Sequence, residues 1–173
     1  MTGATVTNLD AALIYARRGW PVLPIYEPGQ NGQCSCGNPA CPSPAKHPRT
    51  KHGVTEATTN ESRIRSWWMR WPDANIAIST GAVGGMIVLD IDPAHGGDRS
   101  LEELEIKHGK IPLTLECLTG GGGRHFYFIH PGTIVKNKIG IAPGIDVRGD
   151  GGYVVAPPSV HISGGVYRWK PAR

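Results

Sequence analysis

Apolar positions along the chain change period several times, and each change marks an element. After Asn8, a residue type favoured at helix N-caps, LDAALIYARR places its apolar residues at helical spacing and stops at Gly19, whose tolerance of positive φ suits the position after a helix. Trp20-Pro21 then opens an extended segment, WPVLPIY. Thr58 and Glu61 have capping-box spacing and predict a second helix, in which Ile64, Trp67, Trp68 and Trp71 fall at i, i+3, i+4 and i+7 before Pro72. That spacing assigns the Trp stripe to core packing rather than to a base-stacking platform. Residues 74–80 and 84–92 read as two strands joined by a Gly-rich turn, the second nearly continuous in apolar residues and so central in a sheet. A third helix is predicted to open near Ser100, with Glu103 three residues on, and to stop at Gly109. TLECLT, HFYFI, IDVR, YVVAP and VYRW follow as strands. The expected class is a mixed fold, α+β (α/β), with no internal repeat.

Between Glu27 and Gly53 the apolar pattern disappears. Pro, Gly, Cys, Asn, His and Lys dominate, so this loop is ordered only if something other than a core holds it. Cys34, Cys36, Cys41 and His47 supply four soft or borderline ligands within fourteen residues, and a structural Zn²⁺ with Cys₃His ligation would fold the loop around itself. His52 is the alternative fourth ligand. Lys46, Arg49, Lys51 and His52 form a basic patch that reads either as a contact for nucleic-acid or nucleotide phosphates or as a solvated loop face. Cys117 stands alone in a predicted strand and reads as a small buried residue. This uneven cysteine usage favours a metal cluster in a reducing cell over a disulfide framework.

Composition narrows the picture. The 173 residues suit one compact domain or two small lobes sharing a core. Hydrophobic residues make up 39% and charged residues 18%, which permits a buried core and excludes wholesale disorder. Gly (24) and Pro (15) without a G-X-Y period indicate many turns and exclude collagen and helical bundles. The net charge of +4 is compatible with a polyanionic partner without requiring one. No apolar run approaches the roughly 20 residues that span a bilayer, and residues 1–30 carry no secretion signal. A cytoplasmic protein without membrane contact is the expectation.

Three segments carry chemistry. In IVLDID a strand ends in two acids at i and i+2, which project to one face, so Asp90 and Asp92 present paired carboxylates. Such a pair either holds a divalent cation, as phosphoryl-transfer chemistry requires, or starts the following loop and caps the next helix. In TGGGGRHFYF four glycines feed a strand, either to bring backbone N–H groups close to an anion or as a flexible hairpin tip. His125 follows them, placed to donate to a phosphate oxygen or to serve structurally. The run lacks the G-x-x-x-x-G-K-[ST] order of a P-loop, which removes the main support for an ATPase. In GIDVRGDGGYVVAPPS, Asp146 and Arg148 share a strand face, the first suited to a metal and the second to a phosphate, or the two to a surface ion pair. Asp150 reads as structural.

In their order and spacing these segments resemble the bifunctional DNA primase/polymerase (prim-pol) family of plasmid and phage replication proteins, within the archaeo-eukaryotic primase superfamily. The resemblance runs through the AARRGW end of the first helix, Lys46-His47-Pro48, the Trp helix, NIAISTG, VLDID, TGGGGRHFYF and GIDVRGDGGYVVAPPS, and covers nearly the whole chain. It implies an α/β lobe joined to an RNA-recognition-like sheet lobe, the two sharing one active site, with residues 27–53 as a zinc loop inside a catalytic domain spanning 1–173. It also implies that Asp90, Asp92 and Asp146 hold two Mg²⁺ or Mn²⁺ ions. His125 would join these acids in the catalytic set, and His125, Arg148, Ser159, Gly122 and Gly123 would bind nucleotide, with Gly123 standing where many relatives carry Ser. The implied activity is metal-dependent nucleotidyl transfer that makes or extends primers on single-stranded DNA, using nucleoside triphosphates. The implied setting is the cytoplasm of a bacterial or archaeal host replicating a plasmid, phage or integrated element, with a helicase or helical accessory domain as partner. A catalytically inactive, zinc-containing single-stranded-DNA-binding module is the alternative. A rolling-circle nickase is set aside because the sequence has no H-x-H.

Overall fold

The computed structural model describes residues 6–171; residues 1–5 and 172–173 of the expected 1–173 domain lie outside them. In chain order the elements are α1 (Asn8–Arg17), β1 (Val22–Ile25), α2 (Glu61–Arg70), β2 (Asn75–Ser79), the short α3 (Gly81–Gly84) and β3 (Met86–Ile91). They continue with α4 (Gly97–His108), β4 (Leu115–Leu118), β5 (Arg124–Ile129), β6 (Lys138–Ala142), β7 (Ile145–Arg148), β8 (Tyr153–Ala156) and β9 (Arg168–Trp169).

Local hydrogen bonding sets the helix ends, in places differently from expectation. Helix α1 is capped by Thr7 rather than Asn8: Thr7 Oγ1 accepts from the Asp10 N–H at 3.1 Å, and the Asp10 carboxylate accepts from the Thr7 N–H at 3.2 Å. Asn8 instead donates its side-chain amide to the Ala74 carbonyl. Gly19 follows at φ +80°, as anticipated. Helix α2 is capped by Asn60, whose Oδ1 accepts from the Arg63 N–H at 2.9 Å, while Thr58 Oγ1 steadies the Asn60 N–H. Helix α4 begins at Gly97, ahead of Ser100. A Cβ on Gly97 would lie 2.5 Å from the Gly144 carbonyl oxygen, so only glycine allows this close start.

Every pairing between these strands is antiparallel, and the strands form two sheets. The smaller has order β1-β2-β8 and the larger β6-β7-β3-β5-β4-β9. Residues 74–80 and 84–92 do carry the expected strands, but the Gly-rich connection between them is the short α3, which carries the chain from one sheet to the other. β3 does lie in the sheet interior, as its apolar run required.

The main core lies between the small sheet, α1, α2 and one face of the large sheet. Ile64, Trp67 and Trp68 of α2 meet Leu13 and Tyr15 of α1, Ile76 and Ile78 of β2, and Val88, Cys117 and Tyr127 of the large sheet. The Trp stripe is thus largely core. Trp71, at the helix C-cap, packs partly buried against the same cluster. On the opposite face of the large sheet, Leu101 of α4 covers Ile91, Phe126 and Ile145. Among the described residues no helix is long and apolar enough to cross a membrane.

Candidate active site and metal cluster

The face of β3 that buries Met86 and Val88 continues to Asp90, where the covering small sheet gives way to a cleft of about 780 Å³. Antiparallel register decides what meets Asp90 there. It stands opposite His125 on β5 and Asp146 on β7, and directly opposed residues share a face. One step back, Val88 opposes Arg148. Three residues remote in sequence are therefore brought side by side by backbone pairing alone.

The side chains close the set. Asp90 Oδ1 lies 3.4 Å from His125 Nε2, and one nitrogen of Arg148 donates to Asp90 Oδ2 at 3.2 Å and to Asp146 Oδ2 at 2.8 Å. The other Asp146 oxygen accepts from the Gly140 N–H at 2.7 Å. Burial pushes the Asp90 carboxyl upward, but the hydrogen bond and charge of His125, followed by Arg148, outweigh it and hold the group at about 2. Asp90 is therefore ionised throughout the neutral range. His125 is buried, and its Nδ1 has no hydrogen-bond partner among the described residues. The neighbouring Tyr127 hydroxyl is likewise buried and unpartnered, so the site keeps polar atoms that cost stability.

Asp92 lies one residue past β3 and lines the same cleft. Its Oδ1 accepts from the Ala94 N–H at 3.0 Å and its Oδ2 meets His95 Nδ1 at 2.7 Å, so it caps the 3₁₀ turn Pro93–His95 while half exposed. Both sequence readings of the acidic pair, a cleft carboxylate and a cap, coexist in this residue. The donor set suits hard divalent cations: two carboxylates already converge on one cationic nitrogen, and a third carboxylate borders the cleft.

Of the glycines, Gly121 and Gly123 line the cleft, whereas Gly122 faces a second depression on the far side of the large sheet. A Cβ on Gly123 would stand 2.4 Å from the Ile91 carbonyl oxygen, and the Gly123 N–H is spent on Thr119 Oγ1 at 2.8 Å. The glycine thus lets β5 enter beside β3 next to the His125–Asp90 pair. Gly123→Ala is expected to destabilise the fold by about 1–3 kcal/mol, read as a lowered thermal midpoint; an unchanged midpoint would contradict this close approach.

Ser159 is not brought to the cleft. It is fully buried, with its Oγ accepting from the Ile76 N–H at 2.8 Å and donating to the Ile76 carbonyl, so it bonds the backbone of the small sheet's central strand β2. Asp150 holds the Ala82 and Val135 N–H groups, the structural role anticipated for it. Sequence reasoning did not single out His161, Asn137 or Tyr167, which also line the cleft. They come from segments with no motif, and only the tertiary fold could have found them. Burial, then the Lys46 ammonium, holds the His161 imidazole below its usual range.

The cysteine loop forms a second centre. Ligand atoms of Cys34, Cys36, Cys41 and His47 lie within 4.8 Å of one another, against roughly 3.8 Å between thiolates on a tetrahedral zinc ion. Cys34 Sγ is 3.4 Å from His47 Nε2 and accepts from the Ala45 N–H at 3.3 Å. Burial, then Arg49, holds His47 below the usual imidazole range, which favours the neutral ligand form. His52 is outside the cluster and precedes the 3₁₀ turn Gly53–Glu56, so His47 is the fourth ligand of a group able to hold zinc.

A search of curated proteins finds no match for this chain. The family model described as bifunctional DNA primase/polymerase, N-terminal, matches residues 12–173.

Proposed function

From the premise that the chain belongs to the bifunctional DNA primase/polymerase N-terminal family, we propose that it is a metal-dependent nucleotidyltransferase that makes or extends primers on a single-stranded DNA template. The observation that carries this reading is the convergence of Asp90, His125, Asp146 and Arg148 on one cleft through the β3 register. Residues 12–173 act as one catalytic unit, with the small sheet and its helices as one lobe and the large sheet, bearing the acids, as the other. The setting we infer is the replication of a plasmid, phage or integrated element.

In the proposed reaction a 3′-hydroxyl, on a primer or on the first nucleotide, attacks the α-phosphorus of an incoming nucleoside triphosphate. The O3′–P bond forms, the P–O bond to pyrophosphate breaks, and the hydroxyl proton passes to solvent. Asp90, Asp92 and Asp146 would hold the Mg²⁺ or Mn²⁺ ions. When bound, two such ions supply Lewis-acid activation of the hydroxyl and neutralise triphosphate charge. His125 donates to a phosphate oxygen beside Asp90, and Arg148 offers its remaining guanidinium donors to the same anion. Gly121 and Gly123 line the cleft in which the substrate would sit, and glycine at 123 is what lets β5 bring His125 past the Ile91 carbonyl to that position.

The test is extension of a labelled primer annealed to a longer template, with deoxyribonucleotides or ribonucleotides and Mg²⁺ or Mn²⁺. Incorporation complementary to the template is expected. Nucleotide or DNA binding without incorporation under any of these conditions would overturn the reading in favour of an inactive binding module.

A further inference from the structure

We propose that the Cys₃His loop is a metal-locked arm that holds Lys46 over the cleft as a contact for the triphosphate, so that occupancy of the loop by zinc governs nucleotide affinity. The inference rests on the reading of the cleft as a nucleotide site. Lys46 lies immediately before the ligand His47 and, with Ser43, lines the cleft that holds Asp90, His125 and Asp146, its ammonium close enough to act on His161 of the same cleft. The backbone around it is fixed from both centres. On the metal side, Ala45 is buried, bonds its N–H to Cys34 Sγ, and sits at φ +59°, a conformation that costs a non-glycine residue energy and needs outside support. On the sheet side, the buried Asn75 amide donates to the Ala45 carbonyl at 3.3 Å and the Tyr153 hydroxyl to the Lys46 carbonyl at 3.0 Å. The Tyr26 N–H donates to the His47 carbonyl at 2.9 Å, and the Tyr26 and His47 rings stack at 4.4 Å.

Charge accounting singles out Lys46 from its neighbours. Arg49 is already bound to Glu27 at 2.5 Å and to Ser35, and lies over the Tyr26 ring. In the cleft lining, Arg148 is shared by two carboxylates. Lys46 is exposed and makes no ion pair among the described residues, so the cleft wall presents a cation facing a floor of acids and His125. A lysine in this position suits a compact, multiply charged phosphate group, for which ammonium is a point-charge partner. Its place in the lining of the cleft that holds Asp90, His125 and Asp146 favours the triphosphate over template phosphates.

The experiment measures equilibrium binding of a deoxynucleoside triphosphate, the corresponding monophosphate and a single-stranded oligonucleotide by the full chain. The proteins compared are wild type and Lys46→Met, each zinc-loaded and chelator-stripped. Lys46→Met is expected to weaken triphosphate binding about tenfold or more, with monophosphate and oligonucleotide binding changed less than about twofold. Stripping zinc from wild type should cause a similar loss, and stripping Lys46→Met should add little, because both act through one contact. Unchanged triphosphate affinity in Lys46→Met, a loss confined to the oligonucleotide, or independent additive losses would each overturn the proposal. A parallel incorporation assay on zinc-loaded wild type separates the two readings. Incorporation without a Lys46 effect sinks only this inference, and a Lys46 effect without incorporation sinks only the polymerase reading.

Discussion

Asp90→Asn is expected to reduce nucleotide incorporation by about a thousandfold or more while the protein remains folded. Asp90 occupies the middle of the site: it opposes both His125 and Asp146 in the sheet register, and it touches His125 with one oxygen and Arg148 with the other. Asparagine keeps the shape of the side chain and removes its charge, so the loss reports on cation binding rather than on packing. The stability cost is bounded by the same electrostatics. The folded-state pKa is depressed from 3.8 to about 2, so the charge stabilises the fold above the ordinary carboxylate pKa, and this contribution is lost as pH falls through about 2. Such a shift amounts to at most about 2–3 kcal/mol, on the order of 5–10 °C in thermal midpoint for a chain of this size. Thermal melts beside the incorporation assay check both halves, and full activity in the variant would remove Asp90 from the site.

The second large effect concerns the loop metal. Purified protein is expected to contain about one zinc ion per chain, and chelation should open residues 27–56 to limited proteolysis while the two sheets persist. Between residues 27 and 53 the only buried apolar side chains are Cys34 and Ala45, so no core holds the segment. The ligands and the anchors from Asn75, Tyr153 and Tyr26 do so instead. A site of this kind couples metal binding to local folding. Cys34→Ser, which removes the most buried ligand, should mimic the chelated state. Metal-free protein with undiminished protease resistance in this loop would contradict the assignment.

What the sequence disclosed and what it hid follow from the range of the interactions involved. The central position of β3 was legible because a strand covered on both faces must be apolar throughout up to Asp90. The Trp stripe was legible because helical period alone orients it. The Cys and His spacing was legible because the ligands are close in the chain, although the choice of His47 over His52 needed the fold. Helix starts shifted where several cap residues competed locally, as at Thr7 against Asn8 and Asn60 against Thr58. The strand β6 escaped notice: Lys138 and Gly140 interrupt its apolar residues, and it lies at the exposed sheet edge. That β2 and β3 belong to different sheets was hidden in the residues because α3, read as a Gly-rich turn, redirects the chain. Within the site, the residue types at 90, 125, 146 and 148 were apparent. The double grip of Arg148 was not, since it depends on pairing strands separated by more than fifty residues. Ser159 looked chemically available only because its burial against Ile76 is a tertiary fact.

The most direct test of the central claim is synthesis on unprimed single-stranded DNA with labelled nucleotides and Mg²⁺ or Mn²⁺, comparing wild type with Asp90→Asn. The account predicts template-complementary products from wild type that require the divalent cation and disappear in the variant. Equal product from both proteins, or none from wild type either unprimed or with a primer supplied, would contradict it.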